Sequence, residues 1–150
     1  MVLWRHSKTA EIIFIIYSIQ VMTVIMKKRL NILIASVWFI NGFICKVLNG
    51  VPRHQEIVAA ITGSDHARFL TIWIGLSEIA MSVWIVSGVY LKYNAVIQIV
   101  LIAAMNALEF MLVPELLLWG KFNAFFALLF ILLIFFNEFS ANNLKLVLKR

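Results

Sequence analysis

The sequence has little charge for its length. Only 13% of its 150 residues are charged and 63% are hydrophobic, whereas a soluble domain has about 25% charged and about 45–50% apolar residues. A soluble domain of this size leaves about a third of its surface in water, so this apolar fraction is too large to be buried inside one. The composition therefore predicts that lipid contacts much of the surface.

Cysteine is nearly absent, and so are recognisable catalytic motifs. The single cysteine, Cys45, excludes a disulfide, a Cys-x-x-Cys redox pair and a thiolate metal site within one chain. His54 and His66 have no third ligand at metal spacing, so no metal site is predicted. Nucleotide loops, nucleophile elbows and kinase motifs are also lacking, which leaves open whether the protein is an enzyme.

The positive charge of the chain, formally +6, is distributed in short clusters beside apolar runs. Lys27–Arg29 precede one run, and Lys145, Lys149 and Arg150 follow the last. No basic face carries interleaved aromatic residues outside these runs, so nucleic-acid binding is not predicted. The placement is typical of cytoplasmic anchors that face anionic lipid, and the bilayer is the predicted partner.

Four apolar runs are long enough to cross a membrane. A helix needs about 20 apolar residues to cross a hydrocarbon core of about 30 Å, and lipid offers no partner for open backbone groups. We therefore predict an all-α, integral membrane four-helix bundle. The predicted spans are Leu30–Gly50, Phe69–Leu91, Ala95–Val113 and Leu117–Phe136.

Residues 1–25 form an N-terminal hydrophobic extension, and residues 26–150 the four-helix transmembrane domain. The extension contains the apolar stretch Ala10–Ile25. It is interpreted as a segment upstream of a natural start at Met26, as an extra hydrophobic helix, or as a signal peptide, although no small-x-small cleavage site follows it. The first interpretation is favoured.

The basic residues also predict the orientation of the core. Lys27–Arg29, Lys92 and the C-terminal basic residues fall on one side of four spans, which identifies that side as the cytoplasm. Both ends of the core are then cytoplasmic, and the loop Val51–Arg68 is outside. Three residues of this loop are candidates for an outer site: Arg53, His54 and Glu56.

Polar and small residues follow one face of each predicted helix, at about 100° per residue. Such faces pack together in membrane bundles, so a polar seam is predicted. Ionisable residues inside a span are costly and are candidates for function. The alternative is an ion-pair network that only fixes helix register. The seam candidates are Asn41, Lys46, Glu78, Asn106 and Glu109.

The last predicted helix is rich in phenylalanine, including Phe122, Phe126 and Phe130. These rings are interpreted as lipid-facing surface. A flat hydrophobic ligand such as a quinone is the alternative, but the residues alone predict no cofactor.

Several short motifs occur in order along the chain: Val37–Gly42 followed by Lys46, then Pro52 with Arg53–Val58 and Gly63, Gly75–Ile79, and Asn106–Glu109 with Pro114. In these motifs the chain resembles the DoxX-like family of small four-helix bacterial membrane proteins, from Met26 onward. The resemblance implies a multi-pass protein of the bacterial inner (cytoplasmic) membrane. Some members of this family are associated with thiosulfate:quinone oxidoreductases, others with redox-stress complexes, and more distant relatives resemble assembly factors.

Three functions remain open at this point. The favoured one is a non-enzymatic partner, scaffold or assembly factor for another membrane protein. The second is a membrane subunit of a quinone-linked redox system that uses the Lys/Glu seam. The third is a small transporter, for which a homodimer supplies eight helices. The lack of a cysteine pair argues against dithiol chemistry in all three.

Overall fold

The computed structural model describes residues 2–117, 120 and 122–140, and nearly all of them are helical. The basic residues Lys145, Lys149 and Arg150, which contribute to the predicted orientation, lie outside the described residues. The α-helices are α1 (Val2–Phe39), α2 (Arg53–Thr62), α3 (Ala67–Ser87), α4 (Leu91–Leu112) and α5 (Phe122–Phe135). Helix α1 continues as a π-helix (Ile40–Val47), and α5 continues as a π-helical turn (Phe136–Ser140). Short 3-10 turns occupy Ser64–His66 and Pro114–Leu116.

Four helices in the described part of the chain are long and apolar enough to cross a membrane: Ile13–Val47, Ser64–Ser87, Leu91–Leu112 and Phe122–Phe139. The described residues contain no strand. Most large apolar side chains on these helices point outward, as Val83 (64% exposed) and Met111 (78% exposed) do. Because lipid is the solvent that such surfaces prefer, the predicted all-α membrane bundle of four helices is confirmed.

Helix α1 is longer than the span predicted from its sequence. It runs without interruption through the predicted extension, where Phe14 is 71% and Met22 is 64% exposed. Its packing in the bundle begins near Lys27, whose ammonium lies 2.8 Å from the Glu138 carboxylate. The division of the chain at Met26 stays a prediction.

The segment interpreted as the outer loop is itself mostly helical. Helix α2 begins after Pro52, which pre-sets the backbone dihedral of a first turn, and Glu56 lies in that turn, where a carboxylate suits the helix dipole. Ile57 is buried, and α2 packs on α3. The sequence did not predict this helix, because it has only ten residues and Ile57 is the one that is buried.

Successive spans pack antiparallel. Helix α2 lies in the connection between the first span and α3, whereas a tight turn joins α3 to α4. Gly88 ends α3 with a φ of 72°, a left-handed conformation that glycine adopts without strain. We call the end of the bundle covered by α2 the α2 end, and the opposite end, with Lys27 and Glu138, the Lys27 end. The apolar core consists of Ile34, Ala35, Trp38, Met81, Ile85, Ala95, Ile102 and Ile134.

Candidate functional site

Two glycines bring the first span and α3 into backbone contact at the middle of the bundle. A Cβ atom added to Gly42 would lie 2.5 Å from the carbonyl oxygen of Gly75, and one added to Gly75 would lie 2.7 Å from the carbonyl oxygen of Gly42. Only glycine permits this approach, as in other closely packed membrane helices. The crossing places the next turn of each helix, with Lys46 and Glu78, side by side.

Lys46 and Glu78 form a buried ion pair at this crossing. The Lys46 Nζ lies 2.6 Å from the Glu78 Oε1, and each side chain is only 3% exposed. The Asn41 Nδ2 donates to the same carboxylate, at 3.1 Å from Oε1 and 3.3 Å from Oε2. One ammonium and one amide therefore satisfy the Glu78 carboxylate, as a charge buried in a membrane requires.

The π-helix explains how Asn41 and Lys46 reach one carboxylate. In an α-helix, side chains five residues apart point about 140° away from each other. Hydrogen bonds in a π-helix run from residue i to residue i+5, as from the Leu48 N–H to the Phe43 carbonyl at 2.9 Å, so residues five apart lie nearly one above the other. The seam prediction assumed α-helical geometry, in which Asn41 and Lys46 point in different directions.

Arg68, at the start of α3, holds the end of the π-helix. Its guanidinium donates to the carbonyl oxygens of Lys46 at 2.8 Å and Val47 at 2.7 Å. These carbonyls belong to the last turn of the helix, and the Lys46 carbonyl also accepts the backbone N–H of Asn49 at 3.3 Å. Arg68 therefore positions the backbone that carries Lys46.

A cavity of about 300 Å³ opens beside the ion pair, toward the α2 end. It contains all five seam candidates and joins the polar faces of four helices. Asn106 and Glu109 of α4 face the pair across it, and Asn123 of α5 donates to the Asn106 Oδ1 at 3.1 Å. The lining residues are Val37, Trp38, Asn41, Lys46, His54, Glu78, Ile102, Met105, Asn106, Glu109, Asn123, Phe126, Ala127 and Phe130.

Glu109 lies on this cavity without joining the ion pair. Within the described residues it forms no salt bridge, whereas Lys46 is paired with Glu78. The predicted network of one lysine and two carboxylates is thus brought to one cavity, with one carboxylate bonded and the other facing the open space.

The three outer-site candidates have different environments. His54 lines the cavity, and burial together with the positive charges of Lys46 and Arg53 lowers its pKa to about 4. Its imidazole is therefore neutral at pH 7 and able both to donate and to accept a hydrogen bond. Arg53 donates to the Leu116 carbonyl oxygen at 3.3 Å. Glu56 is exposed on α2, away from the residues that line the cavity.

The aromatic wall of the cavity departs from the prediction that the phenylalanines of the last span face only lipid. Phe122, at 69% exposed, does face outward, but Phe126 and Phe130 line the cavity together with Trp38. The sequence did not predict this, because the spacing of phenylalanines along a helix does not distinguish rings that face lipid from rings that face a cavity. Asn123 also lines the cavity, and its bond to Asn106 depends on the packing of α4 on α5.

A separate polar cluster lies toward the Lys27 end. The Trp38 Nε1 donates to the Gln98 Oε1 at 2.8 Å, the Gln98 amide donates to Asn94, and the Asn137 Nδ2 donates to the Asn31 Oδ1 at 2.6 Å. These polar side chains satisfy one another's hydrogen-bonding groups inside the bundle, and such bonds stabilise the packing of membrane helices. Gln98 lies on α4, as Glu109 does, but it belongs to this cluster and does not line the cavity.

The chemistry available in the cavity is hydrogen bonding and proton exchange. In the described part of the chain, no group of three or more histidine, cysteine or acidic residues is arranged to hold a metal ion. The lining offers an ammonium, amides and an imidazole together with the aromatic rings of Trp38, Phe126 and Phe130. Such a pocket suits a small molecule with a polar, oxygen-bearing end and a flat apolar body.

Comparison with known protein families identifies the family of the chain. The family model of the DoxX-like family matches residues 35–136, which contain the glycine crossing, the ion pair and every residue that lines the cavity. No curated protein and no solved structure matches the chain. Because the family model covers more than half of the chain, the protein belongs to the DoxX-like family.

Proposed function

We propose that the cavity binds a quinone, and that the protein is a membrane subunit of a quinone-linked redox system. The observation that carries the proposal is that hydrogen-bonding and aromatic side chains line one cavity within the membrane-spanning bundle. Carbonyl oxygens of a quinone accept hydrogen bonds, which Lys46, Asn106 and His54 can donate. The ring suits the faces of Trp38 and Phe130.

The size and the setting of the cavity agree with this ligand. Its volume of about 300 Å³ is at the lower end of the range for small-molecule sites, about 300–1,000 Å³, which suits a quinone ring without its tail. Phe126 lines the cavity and is 47% exposed, so the lining reaches the lipid-facing surface of the bundle. An isoprenoid tail attached to the ring can therefore remain in the bilayer. A polar solute with no apolar part makes no favourable contact with the aromatic side chains of the lining.

The direct test is the lipid content of the purified protein. We expect protein solubilised in a mild detergent to retain quinone, identified by extraction and mass spectrometry, and we expect Phe130→Ser to lose it. A matched control is Leu129→Ser, because Leu129 is 46% exposed and does not line the cavity. Equal quinone content in wild type and Phe130→Ser, or none in the wild type, contradicts the proposal.

A partner or scaffold function is the second candidate, and the exposed part of α1 favours it. Ile13–Met26 extend the helix by about 21 Å beyond the contact of Lys27 with Glu138, and Phe14 and Met22 are among their most exposed side chains. A photo-crosslinking residue at Phe14 should then trap one defined protein in the native membrane. A crosslinker at Val83, on the lipid-facing side of α3, serves as the control and should trap none.

We further propose that the protein lies in the inner membrane with both ends of its core in the cytoplasm. Lys27–Arg29 and Lys92 lie at the Lys27 end and support this orientation. Reporter fusions after residue 60 should then report a periplasmic position and fusions after residue 150 a cytoplasmic one. The reverse pattern contradicts the orientation.

A further inference from the structure

The cavity has a neighbour on its α2 side. A second cavity, of about 140 Å³, lies between α2 and the turn that joins α4 to α5, and it is lined by Arg53, Ile57 and Leu116 among others. His54, Glu109 and Asn123 line both cavities. These three side chains therefore form the partition between the membrane cavity and a smaller space close to the surface of the bundle.

The charges around this partition leave Glu109 in an unusual position. Charged and titratable groups face it from three other elements: Lys46 on the π-helix, Glu78 on α3, and Arg53 and His54 on α2. Lys46 is paired with Glu78, and the Arg53 guanidinium donates to the Leu116 carbonyl. A carboxyl group inside a span that has no counter-ion of its own requires either water or a proton.

We propose that the gap between α2 and the Pro114–Leu117 turn is the aqueous entrance of the cavity, and that protons pass between water and the cavity at Glu109. Asn123 and His54 line both cavities along this route, and the contact of Arg53 with Leu116 crosses its mouth. The entrance concerns water and protons, so it does not depend on whether a quinone is the ligand.

Cysteine accessibility tests the entrance. Cys45 is the single cysteine, so Cys45→Ala provides a background free of other thiols. In the detergent-solubilised full chain, we expect Glu109→Cys to react with a small cationic methanethiosulfonate severalfold faster than Gln98→Cys, which is buried on the same helix. We expect Arg53→Gln, which releases the contact across the mouth, to raise the Glu109→Cys rate further.

A matched pair of bulky variants tests the route. Asn123→Phe fills the partition, whereas Ala124→Phe adds a larger side chain to an exposed neighbouring position outside both cavities. We expect the first to slow labelling of Glu109→Cys severalfold and the second to leave it unchanged. Equal labelling of Glu109→Cys and Gln98→Cys, or equal effects of the two bulky variants, overturns the entrance.

Proton transfer is measured on chains that keep Glu109. This second measurement therefore does not depend on whether the Glu109→Cys variant folds correctly. The change of the carboxyl infrared bands is followed after a jump in pH. The band of Glu109 is the one that is missing in Glu109→Gln. We expect its rate of change to fall severalfold in Asn123→Phe and to stay unchanged in Ala124→Phe. An equal rate in both variants overturns Glu109 as the point of proton passage. Because the measurement uses no quinone, its failure is distinct from failure of quinone binding.

Discussion

Lys46 and Glu78 are the residues on which the central part of the bundle depends. Each is 3% exposed, and their charged atoms lie 2.6 Å apart. Removing one partner of a buried pair costs about 3–5 kcal/mol, because the other charge is left uncompensated, whereas replacing both can be neutral. We therefore expect Lys46→Met alone to lower the thermal stability in detergent strongly, and the double variant with Glu78→Gln to recover much of it.

The double-mutant cycle provides the control for this prediction. Coupled residues deviate from additivity by about 0.5–3 kcal/mol, whereas independent residues add. Additive losses of stability would mean that the two side chains do not interact, and would contradict the ion pair between Lys46 and Glu78.

His54 predicts a specific dependence of stability on pH. Burial, with the positive charges of Lys46 and Arg53, lowers its pKa to about 4 from 6.5. Between these pH values the unfolded chain binds a proton at His54 that the folded chain does not, so stability rises with pH over this interval. Acidification from pH 6.5 to 4 should therefore lower the free energy of unfolding.

Thermal unfolding in detergent at a series of pH values measures this effect. The carboxylates of the protein also titrate in the same interval, so the relevant quantity is the difference between wild type and His54→Gln. We expect the wild type to lose more stability on acidification than the variant does. Parallel curves for the two proteins would show that His54 is not buried beside positive charge.

At the scale of the element, the close crossing of the first span with α3 sets the geometry of the site. A methyl group at Gly42 would lie 2.5 Å from the Gly75 carbonyl oxygen and 2.9 Å from the Glu78 Cβ. Overpacking of this kind costs about 1–3 kcal/mol. We expect Gly42→Ala to lower thermal stability by this amount and to separate Lys46 from Glu78. Ala80→Val, on the exposed face of α3, should change stability little, and an equal effect of both variants argues against the crossing.

Helical periodicity predicted the spans and most of the site. Glu78, Asn106 and Glu109 face the cavity because they share regular α-helical faces with other polar residues. Asn41 required the π-helix, which no residue pattern indicated. His54 was assigned to a loop, and its place on the cavity results from the docking of α2 over the bundle end. Composition and local spacing do not encode such tertiary contacts.

At the scale of the whole molecule, the bundle and the N-terminal part of α1 are distinct in their packing. The large apolar side chains from Ile13 to Met26 are mostly exposed, and the contact between Lys27 and Glu138 marks the start of the packed region. Surface side chains that contact nothing contribute little to folding stability.

A truncated chain that starts at Met26 tests this division. We expect it to insert into membranes and to unfold in detergent at the temperature of the full chain. Loss of insertion, or a clearly lower unfolding temperature, would show that residues 1–25 are an essential part of the folded unit.

The central claim is that the polar cavity is a binding site and not only a means of fixing helix register. The most direct measurement is a titration with a short-tailed quinone, followed by tryptophan fluorescence, because Trp38 lines the cavity; Trp38→Phe identifies its share of the quenching. We predict saturable quenching in the wild type. Loss of one hydrogen bond from a charged donor costs about 1.5–3 kcal/mol, so binding to the Lys46→Met, Glu78→Gln double variant should be about 10–100-fold weaker. Equal affinity in the wild type and a folded double variant, or no saturable quenching in either, contradicts the account.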